Sequence, residues 1–186
     1  MIIKGKRVSL KLIQREDIEL IHNWCNSEDV NQFFIFPGYI SNEQQKKWFE
    51  KVLTSDRDYF FLIIVDGEPI GLTEIKNIDW DRREGETGIF IAKDEYKNDL
   101  VSFEASYLIG KHFFETLNLR KAKIEILESN KRALRYNKAL GFKEVGKREE
   151  TIDGEICKVI LLEISQNEYN KMEKERERLL ILLGYK

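Results

Sequence analysis

Apolar and polar residues follow periodic patterns over much of the chain, and these patterns predict its first elements. Residues 7–13 alternate between apolar and polar positions, as a strand with one buried face does. Residues 15–26 and 41–53 instead repeat apolar side chains at helical spacing, which predicts two helices. The segment 30–40 is rich in aromatic residues and contains Pro37-Gly38, so we expect a loop there.

The rest of the pattern predicts a regular succession of strands and helices. In order, these are a hairpin around Asp66-Gly67, a strand at 83–92, a helix at 103–117, a strand at 121–128, a helix at 129–142 and a hairpin around Asp153-Gly154. Ser129 is expected to cap the second of these helices, and Gly141 to end it in a left-handed conformation. The order predicts an α+β fold, with a mixed, mostly antiparallel central sheet and helices on both faces. We expect residues 1–166 to form this domain and residues 167–186 to form its C-terminal helical extension.

Composition narrows the class of protein. The 186 residues are 42% hydrophobic and 11% aromatic, as in a folded globular chain, and 31 basic against 33 acidic residues give a formal net charge of -2. A chain without a basic excess is not expected to bind nucleic acid. Cys25 and Cys157 are far apart and form no CxxC pair, so neither a disulfide nor a metal site is predicted. No apolar run suits a signal peptide or a membrane span, and we expect a cytoplasmic protein with no membrane partner.

One long motif and two segments upstream of it carry a likeness to a known family. Residues 117–150 contain N-x-R-A followed by L-G-F-K-E-x-G-x-R, a pattern that starts at Asn130 and ends at Arg148, and residues 70–79 and 86–97 add to it. Together they resemble the GCN5-related N-acetyltransferases (the GNAT family), in the branch that includes ribosomal-protein N-terminal and amino-sugar acetyltransferases. The likeness covers most of the chain, and its order of elements matches the one predicted above.

This resemblance implies where acetyl-CoA binds. In the family one strand splays from its neighbour, the pantetheine arm pairs with that strand, and the pyrophosphate lies on the following turn. The cofactor-binding residues that this implies are Phe90, Ile91 and Ala92 on the strand, Lys97, Asn98, Asp99, Leu100, Val101 and Ser102 in the turn, and Asn130 at a later helix start. Free amides and a positive dipole at a helix start favour such an anion. Asn130 can equally serve as a helix cap.

Two positions depart from the family pattern. The turn 97–102 has Leu100 where the family has its central glycine, and Asp99 places a carboxylate beside the expected pyrophosphate. The turn can still bind the anion if Leu100 points into the core and Asp99 faces away. The catalytic position that is usually a tyrosine acid is Asn137, with Tyr136 displaced by one residue. Asparagine cannot donate a proton, but a thiolate leaving group tolerates this because a thiol pKa is about 8.5.

The other candidates concern proton transfer and the acceptor. Glu86, on the splayed strand, is the candidate general base, with Glu74 and Asp79 as competitors. Each of these carboxylates can also be an ordinary solvated strand residue. Aromatic residues of the 30–40 segment can wall an acceptor pocket or pack as core beneath the loop. The candidate acceptor-binding residues are Phe33, Phe34 and Tyr39, with Phe36 in the same cluster, and Glu74.

These features predict an N-acetyltransferase that moves acetyl from acetyl-CoA to a primary amine by direct attack. The acceptor can be an amino sugar, either free or nucleotide-linked, a protein N-terminus or a small polyamine. The alternative is a degenerate member of the fold that binds CoA weakly or not at all and acts through partner binding. The tail ends in five aliphatic residues, 179–183, which cannot share one helical face. We expect them to pack on the domain or on a second copy, in a monomer or homodimer.

Overall fold

A computed structural model of the chain describes residues 1–35, 38–152 and 154–182. The strands are β1 (Ile2–Lys4), β2 (Val8–Leu12), β3 (Tyr59–Val65), β4 (Glu68–Asp79), β5 (Glu84–Ile91), β6 (Lys121–Leu127), β7 (Lys143–Ile152) and β8 (Glu155–Ser165). The α-helices are α1 (Ile18–Cys25), α2 (Glu28–Asn31), α3 (Asn42–Thr54), α4 (Val101–Lys111), α5 (Lys131–Ala139), α6 (Gln166–Lys171) and α7 (Glu173–Leu182). Short 3₁₀ turns precede α1 at Arg15–Asp17 and follow β5 at Asp94–Tyr96.

The strands form one mixed sheet in the order β1-β2-β3-β4-β5-β6-β8-β7. Neighbouring strands are antiparallel except β5 and β6, which are parallel and are joined by α4. Asp66 and Gly67 both have positive φ, 51° and 82°, as the tight turn between β3 and β4 requires, and this confirms the first predicted hairpin. The predicted fold class, a mixed and mostly antiparallel sheet with helices on both faces, is therefore confirmed.

The sheet has an apolar layer on each face because β3 is apolar at every position. Alternate side chains of a strand point to opposite faces. Phe61 and Ile63 belong to the core under α4, whereas Phe60 and Leu62 belong to the core shared with α1 and α3. Farther along the sheet, α5 packs on β6 and β8, where Ile126 lies in a third apolar cluster. The helices α4 and α5 thus lie side by side on one face, and α1 and α3 cover part of the other.

Several boundaries differ from those predicted. A short edge strand, β1, precedes the first predicted strand, and α2 begins just before the predicted loop. The predicted helix 103–117 begins at Val101 and finishes in a π-helical turn. Ser129 was wrong as the cap of α5: the cap is Asn130, whose Oδ1 accepts the Ala133 N–H at 3.0 Å. Gly141 ends α5 with φ of 98°, as predicted.

One buried carboxylate attaches α4 to the turn between β1 and β2. Glu104 is fully buried, and its Oε1 accepts the backbone N–H groups of Lys6, Arg7 and Val8 at 2.5, 3.0 and 3.1 Å. A side chain at Gly5 would collide with the same carboxylate, so the turn needs a glycine there. Charge-assisted hydrogen bonds of this kind are stronger than neutral ones. These hydrogen bonds fix the position of the start of α4 relative to β2.

The C-terminal extension begins with a capping box in which Ser165 and Glu168 cap each other's backbone N–H groups at the start of α6. Of the five aliphatic tail residues, Ile181 is 61% exposed, whereas the side chains of Leu179, Leu180 and Leu182, and the whole of Leu183, lie outside what the structure describes. Whether the tail packs on its own domain or on a second copy stays a prediction. None of the helices in the described ranges has the length and apolarity needed to span a bilayer.

Candidate active site

The main opening in the sheet lies between β5 and β6. Their pairing consists of three residue pairs, from Glu84↔Lys121 to Glu86↔Lys123. Beyond Glu86, β5 continues to Ile91 without pairing with β6, which pairs with β8 along its whole length, so no strand in the described part of the chain covers this edge of β5. A free strand edge presents N–H and C=O groups to an extended ligand. We call this opening the β5–β6 gap.

The predicted cofactor residues of β5 lie along the gap with different surroundings. Phe90 packs edge-on against the rings of Trp24 and Phe34, at centroid distances of 6.2 and 6.4 Å. Ile91 packs against the core under α4. The Ala92 N–H donates to the Ile70 carbonyl at 2.8 Å and is therefore not free to donate to a cofactor.

The segment 97–102, which we call the phosphate turn, runs from the 3₁₀ turn into the first residues of α4. Leu100 is 41% exposed, so the condition that its side chain point into the core is not met. It instead points toward solvent at the rim of the turn, because the positions facing the sheet are taken by Val101 and the residues one turn later. Because this condition fails, access of a pyrophosphate to the first-turn amides of α4 stays a prediction.

Asp99 in this turn has a partner that the sequence did not reveal. The Arg7 guanidinium donates from both terminal nitrogens to the two carboxylate oxygens of Asp99, at 3.0 Å each. The Arg7 hydrogen bond lowers the pKa of Asp99 below its ordinary value, against the opposing effect of burial. Asp99 also accepts the Val101 N–H at 3.3 Å. Its negative charge is thus balanced by Arg7, which removes most of the expected repulsion toward a pyrophosphate.

Lys97, the leading cation of the phosphate turn, lies between two carboxylates. Its Nζ is 2.5 Å from Asp94 and 3.2 Å from Asp29, a residue of α2. The hydrogen bond to Asp94 and then that to Asp29 raise the pKa of Lys97, although burial opposes them. Through Asp29, the phosphate turn is connected to the segment that carries the aromatic candidates. Asn98 has no side-chain hydrogen bond among those that the structure describes.

On α5, Tyr136 and Asn137 face different partners. The Tyr136 hydroxyl donates to the Ser102 carbonyl at 2.8 Å and shares a 2.7 Å hydrogen bond with Ser106 Oγ. Burial raises its pKa to about 12, so it is a neutral residue that connects α5 to α4. Asn137 is buried and lines the cavity at the β5–β6 gap together with Thr87. Its Nδ2 donates to the carbonyl one turn earlier in α5, which fixes the amide.

Charged residues lie on the opposite face of β4 and β5, next to α1. Register places Glu74 opposite Gly88 and Lys76 opposite Glu86 on this face. The Glu74 carboxylate lies over Gly88, so close that a side chain there would press against it, and it accepts from Lys76 Nζ at 2.5 Å. Burial would lower the pKa of Lys76, but Glu74 and then Glu86 raise it overall. Glu86 is therefore close enough to the Lys76 ammonium to raise its pKa. Glu86 also belongs to the last residue pair before the β5–β6 gap.

Cys25 lies near this face. Burial, and then the nearby charge of Glu74, raise the pKa of its thiol to about 11. A thiol that stays protonated is a poor nucleophile. Cys25 and Cys157 are both free thiols. No group of three or more His, Cys, Asp or Glu side chains within the described ranges is arranged to hold a metal ion.

The aromatic candidates near α2 divide into packed and exposed rings. Phe34 packs on Phe90, whereas Phe33 is 46% and Tyr39 is 75% exposed. Tyr39 lies edge-on to His22, whose Nε2 is hydrogen-bonded to the Ile40 carbonyl at 2.7 Å. Phe36 lies outside the described residues. Phe34 and Glu74 are thus on the same face as Glu86, and the two exposed rings lie at the margin of that region.

The arrangement has the parts that acyl transfer from a thioester to an amine needs. They are an open strand edge, a helix start at its end, and carboxylates on the face opposite α4. The sequence alone missed Arg7, Ser106 and Asp29, which contact the site from distant segments. No local pattern around these three residues marks them, because each acts through a partner at least 30 positions away.

Comparison with known proteins identifies the family. A model of the acetyltransferase (GNAT) domain matches residues 7–143. Spermidine N(1)-acetyltransferase of Escherichia coli K12 is 27% identical over 164 residues, 87% of this chain and 88% of that protein. Acetyltransferase PseH of Campylobacter jejuni is 29% identical over 123 residues, 66% of this chain and 74% of that protein.

A solved structure agrees in fold. The crystal structure of spermidine N-acetyltransferase from Vibrio cholerae, in complex with CoA and spermine, superposes with a TM-score of 0.81 at 23% identity, covering 89% of this chain and 99% of that one. The family model confirms the resemblance to the GNAT family that the sequence indicated. Because the family model spans about three quarters of the residues, this chain belongs to the GNAT family and is an acetyl-CoA-dependent N-acetyltransferase.

Proposed function

We propose that the protein acetylates a small aliphatic primary amine of the polyamine class at the β5–β6 gap. The observation that carries this proposal is the position of Glu74 and Glu86 on the face opposite α4, beside an open strand edge that ends at a helix start. A polyamine presents a primary ammonium together with further cationic groups. Carboxylates at both Glu74 and Glu86 suit such an acceptor, and relatives named as spermidine acetyltransferases support the same class.

The chain's own residues fit acetyl-CoA. The unpaired edge of β5 from Thr87 onward can pair with the pantetheine amides, as a further strand would. The start of α4 is proposed to receive the pyrophosphate once the Val101 N–H leaves Asp99, with Lys97 adding charge once it leaves Asp29 and Asp94. Asn130, already the cap of α5, is proposed to contact the cofactor only through groups that its capping bond leaves unused.

Acetyl-CoA supplies the acetyl group as an activated thioester, and the protein's part is to orient the amine and remove its proton. Glu86 is proposed as the base, directly or through a water molecule, since its carboxylate belongs to the last residue pair before the β5–β6 gap. Glu74 orients the acceptor. Asn137 lies beside the gap as a hydrogen-bonding group and gives up no proton.

A panel of acceptors tests this proposal. Purified protein is mixed with acetyl-CoA, and thiol release is followed with spermidine, spermine, an amino sugar and a peptide with a free N-terminus. We expect turnover with the polyamines, and Glu86→Gln is expected to reduce kcat/KM for them by about 10²–10⁴-fold, the usual contribution of a general base. Glu50→Gln, at an exposed position of α3, is the matched control and should leave turnover unchanged.

The outcomes separate the parts of the proposal. Turnover with the amino sugar or the peptide alone would replace the acceptor class but keep the site. Full activity of Glu86→Gln would remove Glu86 from proton transfer. If acetyl-CoA does not bind at millimolar concentration, the degenerate alternative replaces the enzyme.

A further inference from the structure

A cavity of about 80 Å³ extends from the β5–β6 gap into the interior between the sheet, α4 and α5. At the gap it is lined by Thr87, Gly88 and Asn137, the residues closest to the reacting end of the site. At its far end it is lined by Tyr169 of α6 and Arg176 of α7. The acetyl-transfer mechanism above gives no role to this far end.

Arg176 is the unusual group in this cavity. Its guanidinium carbon lies 3.6 Å from the centroid of the Tyr169 ring, in a cation–π arrangement. Its Nη1 is shielded from solvent and has no hydrogen-bond partner among the side chains that the structure describes. An arginine stays charged in proteins, and a buried charged donor without an acceptor is costly. The ring offsets only part of that cost, so the guanidinium is suited to receive an anion.

The described lining of the cavity supplies Arg176 with no such anion. None of the described residues that line the cavity is Asp or Glu; its walls are apolar except for neutral groups such as Thr73 and Ser106. The Tyr169 ring can approach α4 closely because Gly110 has no side chain, and this contact positions the ring at the far end of the cavity. A carboxylate on a ligand that enters through the gap would supply the acceptor that this described lining lacks.

We infer that the cavity receives an acyl group longer than acetyl that ends in a carboxylate, so that the enzyme also takes a short ω-carboxyacyl thioester of CoA as donor. The inference rests on the proposed function, because the acyl group enters from the same gap. The acceptor nitrogen forms a bond to the thioester carbonyl carbon, the C–S bond breaks, CoA leaves as its thiolate and takes up a proton, and the ammonium proton passes to the base. The distal carboxylate stays unchanged and is bound by Arg176.

The size of the cavity favours a short chain. An apolar cavity of about 150 Å³ holds a benzene molecule, so about half that volume suits an extension of a few heavy atoms beyond the carbonyl. A methylene or two and a carboxylate meet this limit. A longer acyl chain does not.

Binding measurements test the inference without a known acceptor. Calorimetry of the full-length protein is carried out with acetyl-CoA, butyryl-CoA and succinyl-CoA, since the last two have similar length but differ in the terminal carboxylate. We expect succinyl-CoA to bind at least tenfold more tightly than butyryl-CoA. Arg176→Gln should abolish that preference, whereas Arg178→Gln, an exposed arginine of the same helix, should keep it. If Arg176→Gln does not fold, Arg176→Met, which keeps the length and apolar contacts of the side chain without its charge, replaces it and should likewise abolish the preference.

Each result has one meaning. A preference for succinyl-CoA that depends on Arg176 supports the inference. If acetyl-CoA binds but the wild type does not discriminate, or if Arg176→Gln keeps the preference, the inference is overturned and the proposed function stands. If no thioester binds, both are overturned.

Discussion

Replacing Glu104 by glutamine should destabilise the protein by about 2–4 kcal/mol. The carboxylate is fully buried, and its Oε1 accepts N–H groups from Lys6, Arg7 and Val8 at 2.5, 3.0 and 3.1 Å. A hydrogen bond to a charged group contributes about 1.5–3 kcal/mol and is roughly twice as strong as a neutral one. The amide therefore loses about half of each of the three bonds, and its NH₂ group also faces the Arg7 donor that Oε2 accepts at 3.3 Å.

Urea unfolding followed by circular dichroism measures this effect. The midpoint should fall while the m-value stays constant, and the melting temperature should drop by about 4–16 °C for a chain of this size. Glu115→Gln is the control, because Glu115 is an exposed glutamate just beyond the same helix. If Glu104→Gln lies within 0.5 kcal/mol of the wild type, the three amide bonds do not hold α4 as described.

Four further predictions concern the turn, the site and the tail. Glu168→Gln should cost about 1–2 kcal/mol at pH 7, because hydrogen bonds from Lys143 and the capping backbone lower the pKa of Glu168 to about 2. This contribution is present above the unfolded pKa near 4.3 and should vanish as pH falls toward 2. Lys97→Ala should weaken CoA binding about 3–10-fold with little change in stability, by calorimetry and melting. Asn137→Ala should keep kcat within about tenfold, roughly 1.4 kcal/mol, in the thiol-release assay. Sedimentation of the full chain and of a chain ending at Asn170 should show whether any dimer depends on the tail.

Contrary results for these four are equally specific. A pH-independent effect of Glu168→Gln would show that packing, not its charge, matters. Unchanged CoA affinity in Lys97→Ala would leave the amides of α4 as the anion site. A thousandfold loss in Asn137→Ala would give that residue a direct catalytic role, and a dimer that survives truncation would place the interface elsewhere.

The sequence was sufficient for the fold because the fold depends on local patterns. The apolar run of β3, the Asp66-Gly67 turn and the left-handed Gly141 each act within a few residues, and each was predicted with its reason. The cap of α5 was misassigned by one residue because Ser129 and Asn130 are both good capping residues. Only the backbone geometry decides which of them lies at the helix start.

The site was predicted less completely because its contacts join distant segments. The pair Arg7–Asp99 spans 92 positions, and the bridge Lys97–Asp29 spans 68. A single sequence contains no signal for such pairs, although it correctly marks Asp99 as the residue that needs an explanation. The exposure of Leu100 also could not be predicted, since helical spacing alone allows its side chain to face either the core or the solvent.

The β5–β6 contact has a consequence for how the molecule responds to its ligand. Three residue pairs connect the part of the sheet built from residues 2–91 to the part built from residues 121–165, and this contact is weak. The helices α4 and α5 provide most of the remaining contact between the two parts. A ligand that lies in the β5–β6 gap acts as a missing strand, so it connects these two parts of the sheet. Its binding should raise the unfolding free energy of the whole chain, by about 2.7 kcal/mol at a hundredfold excess over Kd. The amides between Thr87 and Ile91 that point away from β4 should then exchange more slowly with solvent, which makes the substrate a structural component of the sheet.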